Sequence, residues 1–294
     1  MTRSARVFAP AKINLALHVT GQREDGYHLL DSLVAFAGIG DLLTVDLSGP
    51  SGLEVTGPRA EGVPTDARNL ILQTLTAIWP GVEARITLDK HLPAMAGIGG
   101  GSADAAALYR AMAALTDAPP KPSQADLAKL LGIGADIPAC IASAPTRMRG
   151  IGEDLTPLQD IPPLPILLVN PGVTIPTPAV FAALETKQNP PLDSLPTGEL
   201  LLDWLKTQCN DLEAPAILRQ PIIEQTLTEI FETQGCQLAR MSGSGATCFG
   251  LYASEGEAQA AANTLSETHP DWWIAPTRLD GQAKAAPQLI RATT

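Results

Sequence analysis

The chain has 294 residues, of which 45% are hydrophobic and only 17% charged, a composition that folds around a substantial core and does not stay disordered. Its 20 basic and 31 acidic residues leave a net charge of −11, which argues against a nucleic-acid or anionic-membrane partner. No apolar run approaches the ~18 residues of a membrane span, and Lys12 and Asn14 interrupt what would be the apolar core of a leader. Four scattered cysteines (Cys140, Cys209, Cys236, Cys248) lack metal-type spacing. The expectation is a cytoplasmic protein with reduced, buried thiols.

The first predicted element is the strand PAKINLALHV, where Lys12, Asn14, Ala16 and His18 alternate with Ile13, Leu15, Leu17 and Val19. The apolar set takes the core. Lys12 and Asn14 then project together, into a site or onto a solvated edge. Asp25-Gly26 reads as a turn that positions Tyr27 and His28. Farther on, VEARITLDKHL alternates as a half-buried strand, and Ala105, Leu108, Ala111, Met112 and Leu115 give a helical stripe. Gly97, Gly99, Gly100 and Gly101 join the two. A helix N-terminus with free N–H groups favours an anion, above all a phosphate, although a tight turn holding nothing would use glycine too. The loop is neither GxxxxGK[ST], since no lysine follows, nor GxGxxG, since Ser102 takes the last glycine's place.

Asp136 precedes Ile137-Pro138 and on sequence alone reads as a helix cap. TPLQDIPPLP, followed by the apolar strand ILLVN, divides the chain into domains 1–157 and 158–294. The second half is expected to hold a strand at 166–170, helices at 178–185, 198–218 and 221–234, and a strand pair around MSGSGATCFGLY. A helix at 255–267 and a strand near DWWIAP complete it. Residues 187–197 read as a surface loop, and the tail after Asp280 as weakly patterned and mobile.

In this order PAKINL, GIGGGSADAA and SGSGA resemble the three motifs of the GHMP kinase superfamily, the small-molecule kinases of galactose, homoserine and mevalonate type. The resemblance runs from about residue 8 to residue 252. GQREDGYHLLDSL, GADIP, GIGEDLTPL and NPGVTIPTP resemble the branch whose acceptor alcohol carries a cytidine diphosphate. It implies an α+β, two-domain fold with the active site in the cleft between the domains. One departure is local: where the family writes further glycines after the proline, this chain has Ala94-Met95-Ala96. Val34 also stands where relatives can carry an aromatic that stacks on the base, leaving stacking to Tyr27.

The resemblance implies ATP-dependent phosphorylation of an acceptor hydroxyl, with Lys12 neutralising charge and Asp136 accepting the hydroxyl proton. The nucleotide would lie along Pro93, Ala94, Met95, Ala96, Gly97, Ile98, Gly99, Gly100, Gly101, Ser102 and Ala103, with Asn69 and Lys90 also touching it. Mg2+ would accompany ATP, with Ser102 as candidate ligand. Asn14 would bind the polyol, Tyr27 and His28 the base, and Thr177 with Phe181 would close the pocket. The partner is a small molecule, and the chain a monomer or homodimer. Two rival readings are a kinase with homoserine or mevalonate as acceptor and a catalytically silent nucleotide-binding module. DGYH argues against the first, and Lys12 together with Asp136 against the second. A dinucleotide oxidoreductase fails on the fingerprint.

Overall fold

A computed structural model describes residues 4–159, 161–196 and 200–290. The expected helix start at residue 198 and residues 291–294 of the tail lie outside the described residues.

Two strands of 19 residues, β1 (Ser4–Gln22) and β2 (His28–Asp46), pair antiparallel and form the spine. Their connection suits its sequence: Gly26 takes φ 91°, and Arg23 N–H donates to the Tyr27 carbonyl at 2.7 Å. The second half of β2 pairs with β4 (Arg85–Asp89), which carries β3 (Gly52–Thr56) in parallel. The first half of β2 pairs with β5 (Thr146–Gly150), and β5 with β6 (Asp154–Pro157). Helices α1 (Leu70–Ile78), α2 (Gly100–Leu115), α3 (Gln124–Ile133) and α4 (Ile137–Ala142) cover one face. Residues 103–113 of α2 are all buried, because its alanines let β1, α1 and α4 approach from different sides.

From residue 165 onward a second, four-stranded antiparallel sheet forms. It runs β10 (Trp273–Arg278), β7 (Pro165–Asn170), β9 (Cys248–Tyr252), β8 (Cys236–Met241). Alternation along β7 explains its place: Ile166 and Leu168 pack with Ile13, Leu15 and Leu33 of the first sheet, while Leu167 and Val169 face the other way. There they meet α8 (Ile222–Glu232) and α9 (Glu255–Thr268), the latter started by a Ser254–Glu257 capping box. The short helices α5 (Thr177–Ala182), α6 (Leu201–Thr207) and α7 (Glu213–Arg219) complete this half. The layers therefore run helix, sheet, sheet, helix, an α+β arrangement in which β3–β4 is the one parallel pair of strands among the described residues, beside a single parallel bridge between Leu17 and Asn210. No helix among them is long and apolar enough to cross a membrane.

Four expectations need correction. Bulges in β1 break its alternation: Asn14 pairs with Val34, Ala16 with Leu33 and Leu17 with Ser32, leaving Leu15 unpaired. Lys12 and Asn14 consequently share a face with Leu17, while Ala16 and His18 turn to the other. The helix expected over 198–218 breaks into α6 and α7 because residues 209–211 leave it to bond β1. Leu17 N–H donates to the Cys209 carbonyl and Asp211 N–H to the Leu17 carbonyl, each at 2.9 Å. The tail returns as β11 (Gln288–Ile290), paired with residues 4–6 of β1. Residues 187–196 form a strap more than a loose loop, since Leu192 is buried and its N–H donates to Asp31 Oδ2 at 3.1 Å. Of the four free thiols, Cys140 and Cys248 are buried, Cys236 is half-buried and Cys209 is exposed.

One ion cluster is sealed between sheet and helices. Lys90 Nζ donates to Asp41 Oδ2 at 2.5 Å and to Asp104 Oδ2 at 2.7 Å, with all three side chains buried. Burial alone would pull the Lys90 ammonium down, but Asp104 and Asp41 outweigh it and raise its pKa. Burial lifts the Asp104 carboxyl to about 8, against the pull of Lys90 and with a push from Asp41. Burial thus favours the protonated form of Asp104, which would limit the charge buried there. Unfolded, it would titrate near its ordinary 3.8, so between about 4 and about 8 the folded state binds the extra proton. This group's contribution to stability therefore declines as pH rises through that window. Thermal melts between about pH 5 and pH 9 should show a smaller decline for Asp104→Asn than for the wild type. Parallel curves would mean that Asp104 is ionised throughout.

Candidate active site

The three glycine- and lysine-bearing motifs meet through their backbones. Lys12 N–H donates to the Ile98 carbonyl at 2.9 Å, and Thr247 N–H to the Ala96 carbonyl at 3.1 Å. Ser242 Oγ accepts from Asn14 N–H at 3.1 Å and donates to the Gly97 carbonyl at 3.2 Å. Gly97 takes φ 73°, and a Cβ there would stand 2.5 Å from the Ser242 carbonyl oxygen. Glycine is required at this position by the neighbouring loop, whatever binds in front of it.

Beside this junction lies a cleft of about 1130 Å³. Gly99, Gly100, Gly101 and Ser102, at the start of α2, line one wall. The first N–H groups of a helix have no intrahelical acceptor, and among the described residues these find none elsewhere. Met95, Ala96 and Gly97 continue that wall, Met95 with φ 51° and a largely exposed side chain.

Lys12 reaches the floor of the cleft from β1, and Asp136 from the start of α4. Lys12 Nζ donates to Asp136 Oδ1 at 2.6 Å, the lysine side chain 5% and the aspartate side chain 33% exposed. Asp136 does stand at the N-cap of α4, yet its carboxylate makes no capping bond. Asn14 is oriented by an oxygen with no freedom left. Ser32 Oγ spends its proton on the Ala16 carbonyl at 2.7 Å and so accepts from Asn14 Nδ2 at 2.8 Å. Asn14 Oδ1, buried at the cleft wall, is left without a partner and is suited to receive a hydroxyl donor.

Tyr27, His28, Thr177 and Phe181 line the other end. The His28 ring stacks on Phe181 with centroids 4.7 Å apart and an interplanar angle of 22°. Burial first, and the Lys187 charge second, hold His28 below its ordinary pKa, so the ring is neutral at pH 7. Its Nε2 is buried and unpartnered. Tyr27 is 60% exposed at the rim, and Thr177 Oγ1 bonds Ser244 Oγ at 2.8 Å.

The remaining expected contacts lie off the cleft. Asn69 caps α1, its Oδ1 accepting from Ile71 N–H at 2.9 Å and its Nδ2 donating to the Pro64 carbonyl at 2.7 Å. Lys90 is committed to its two aspartates. Ile98 and Ala103 are core residues, and Pro93 and Ala94 line a separate cavity of about 310 Å³. Ser32, Ser242 and Ser244 support the site but were not expected there. Ser32 carried a readable signal, for His28, Leu30 and Ser32 alternate onto one face. The SGSGA turn gave its motif but not its contacts.

Residues 66–144 match the family model of the GHMP kinases N terminal domain, and residues 196–271 that of the GHMP kinases C terminal. The chain is 57% identical to the 4-diphosphocytidyl-2-C-methyl-D-erythritol kinase of Dinoroseobacter shibae, over 92% of this chain and 94% of that one. It is 47% identical to the protein of the same name from Roseobacter denitrificans, over 96% of each. A crystal structure of 4-(cytidine 5'-diphospho)-2C-methyl-D-erythritol kinase aligns at TM-score 0.73 and 33% identity, covering 93% of this chain and 98% of that one. L. major mevalonate kinase in complex with R-mevalonate, 17% identical at TM-score 0.60 over 97% of both chains, shares the fold. With both domains matched and near full-length relatives above 30% identity, the chain belongs to the GHMP kinase family of small-molecule kinases.

Proposed function

We propose that this kinase transfers the terminal phosphoryl group of ATP to the 2-hydroxyl of 4-diphosphocytidyl-2-C-methyl-D-erythritol. The products are the 2-phosphate and ADP, in the non-mevalonate route to isoprenoid precursors. The observation that carries the reading is the Lys12–Asp136 pair at 2.6 Å, set between a helix N-terminus rich in free N–H groups and a neutral aromatic end formed by His28 and Phe181. The first end suits a polyphosphate and the second a neutral base. Homoserine and mevalonate carry no base for that second end to hold.

Phosphoryl transfer is positioning and charge stabilisation. The N–H groups of Gly99 to Ser102 cradle the nucleotide phosphates. Asn14 Oδ1 accepts a hydrogen bond from the polyol and fixes it over the floor. Asp136 takes the proton of the attacking hydroxyl as its oxygen bonds to phosphorus and the bond from phosphorus to the bridging oxygen of ADP breaks. Lys12 offsets the charge that builds on that oxygen and on the transferring group. Magnesium bound with the ATP would offset phosphate charge. Among the described residues no three His, Cys, Asp or Glu side chains are grouped to hold a cation. Ser102, whose residue lines the same wall, would be the candidate protein ligand beside phosphate oxygens and water.

An acceptor screen following ADP release tests the substrate directly: the cytidylylated erythritol should be turned over, with homoserine and mevalonate at background. Tyr27→Ala should raise the acceptor KM about tenfold and leave that for ATP unchanged. Equal changes in both would assign Tyr27 a folding role.

The phosphate wall is tested at Gly101, where a Cβ would meet nothing closer than Leu70 Cδ1 at 3.5 Å. Gly101→Val should fold normally yet lose at least about tenfold in ATP affinity by calorimetry, since the added methyls stand where phosphate must approach. Undiminished ATP binding would remove the cradle.

If Lys12 and Asp136 serve one oxygen, their losses should not add. Lys12→Ala and Asp136→Asn should each lower kcat by about a thousandfold or more, and the double variant should be little worse. Fully multiplicative losses would separate their roles. A near-normal kcat with a lowered Tm for Asp136→Asn would make it a structural residue.

A further inference from the structure

Two ammonium groups are found among the residues that line the cleft, those of Lys12 and Lys187. Lys12 is committed to Asp136 at the transfer end. Lys187 stands at the opposite end, on the strap that follows α5. Its Nζ meets a neutral amide oxygen, Gln22 Oε1, at 3.3 Å, and no carboxylate pairs with it among the described residues. Gln22 is the residue that β1 pairs with His28 of β2, and the Lys187 charge reaches the His28 ring strongly enough to lower its pKa. Asp25 lines the same rim, but Arg23 matches it at 2.7 Å. The strap that carries Lys187 is anchored: Asn189 N–H donates to the Val19 carbonyl at 2.9 Å, and Asn189 Nδ2 to Asp211 Oδ2 at 2.8 Å.

The acceptor proposed above has three parts: a base, a diphosphate and a polyol. The neutral aromatic end suits the base, and Asn14 with Asp136 the polyol. Nothing in the mechanism so far addresses the diphosphate, which carries about two negative charges into a protein whose net charge is −11. We propose that Lys187 is the specificity-determining cation for that diphosphate, contacting it between the His28 end and the Lys12 end of the cleft. The inference rests on the acceptor being the cytidylylated polyol. A flexible stem ending in a compact charge can follow a diphosphate that shifts as the hydroxyl is brought into line. Because Lys187 is exposed, solvent and salt weaken the contact, so its contribution is about tenfold in affinity and sensitive to ionic strength.

The test compares cytidine and cytidine 5'-diphosphate as calorimetric probes on the full chain. Wild type should bind the diphosphate more tightly than the nucleoside, with an advantage that shrinks as salt is raised. Lys187→Ala should lower affinity for the diphosphate about tenfold and leave that for cytidine unchanged. Lys187→Arg should recover most of the loss. In turnover, Lys187→Ala should raise the acceptor KM about tenfold, with kcat and the ATP KM unaltered. Unchanged diphosphate affinity in Lys187→Ala would overturn the proposal, as would equal loss of both probes, which is the mark of a disturbed strap. A wild type that turns over the cytidylylated acceptor while the variant behaves identically refutes this inference alone. A wild type that binds neither probe refutes both it and the acceptor assignment.

Discussion

One hydroxyl joins the parts of the catalytic centre. Ser242 Oγ accepts from the backbone of Asn14 on β1 and donates to the carbonyl of Gly97 in the loop before α2, while itself belonging to the turn between β8 and β9. Three segments far apart in sequence are thereby referred to a single oxygen. The Asn14 N–H it serves is a buried backbone polar group, and leaving it unpaired costs about 1–3 kcal/mol. The neighbouring bonds, Lys12 N–H to Ile98 and Thr247 N–H to Ala96, fix the same junction from either side. Because Lys12 and Asn14 share a face of β1, fixing that backbone also fixes where the ammonium stands relative to the first N–H groups of α2. The loop glycines follow from this packing as much as from any ligand. Gly97 has no room for a side chain because Ser242 and Gly245 crowd it, whereas Gly101 does have room and faces the cleft.

Charge is distributed to match. The lysine beneath the helix start, Lys90, is neutralised in place by Asp41 and Asp104. It holds the sheet to α2 and has no charge to spare for the cleft. The lysines that do face the cleft are held differently at its two ends: Lys12 is buried and paired with Asp136, and Lys187 is exposed with no carboxylate partner among the described residues. Between them the Asn14–Ser32–Ala16 chain of hydrogen bonds sets the amide so that its oxygen is the group on offer. A strongly acidic protein can thus admit a polyanion through local donors alone.

The motifs were legible in the sequence because they combine residue types that local structure seldom needs together: a lysine and an amide on a strand, glycines before a helix, serines between glycines. Their contents were harder to assign. Asn69 and Lys90 lie close in the chain to cleft residues but satisfy caps and ion pairs of their own, which only long-range contacts reveal. Asp136 had two readings from sequence, a helix cap and a catalytic acceptor. Asp136 stands at the N-cap but makes no capping bond, and its Oδ1 accepts from Lys12 Nζ instead. The strap at 187–196 read as loose for want of periodicity, yet its hold comes from Asp31 and Arg147, an ion pair whose partners are distant in sequence.

The β1 bulge was the feature least open to pattern reading, and the cleft depends on it. Strict alternation would put Ala16 and His18 beside Asn14. Leaving Leu15 unpaired instead turns Leu17 and Val19 onto the face of Lys12 and Asn14, and a second register shift, between Val19 and Gly21, brings Gln22 there too, opposite Ser32, Leu30 and His28 of β2. One continuous wall then runs from Lys12 to the His28 end of the cleft. The bulge leaves the Leu15 carbonyl without a ladder partner, and Arg240 supplies one: its Nη1 donates to that oxygen at 2.7 Å. Its Nη2 donates to the carbonyls of Leu205 and Gln208 at 2.9 and 2.7 Å, where α6 ends. A single buried guanidinium therefore holds both departures from regular structure, the bulge in the strand and the break in the helix. Both departures are needed at once, because residues 209–211 must leave the helix to bond β1 at Leu17, just beyond the bulge. The cleft wall is shaped where periodicity fails, so a reading built on periodicity could find its ends and not its course.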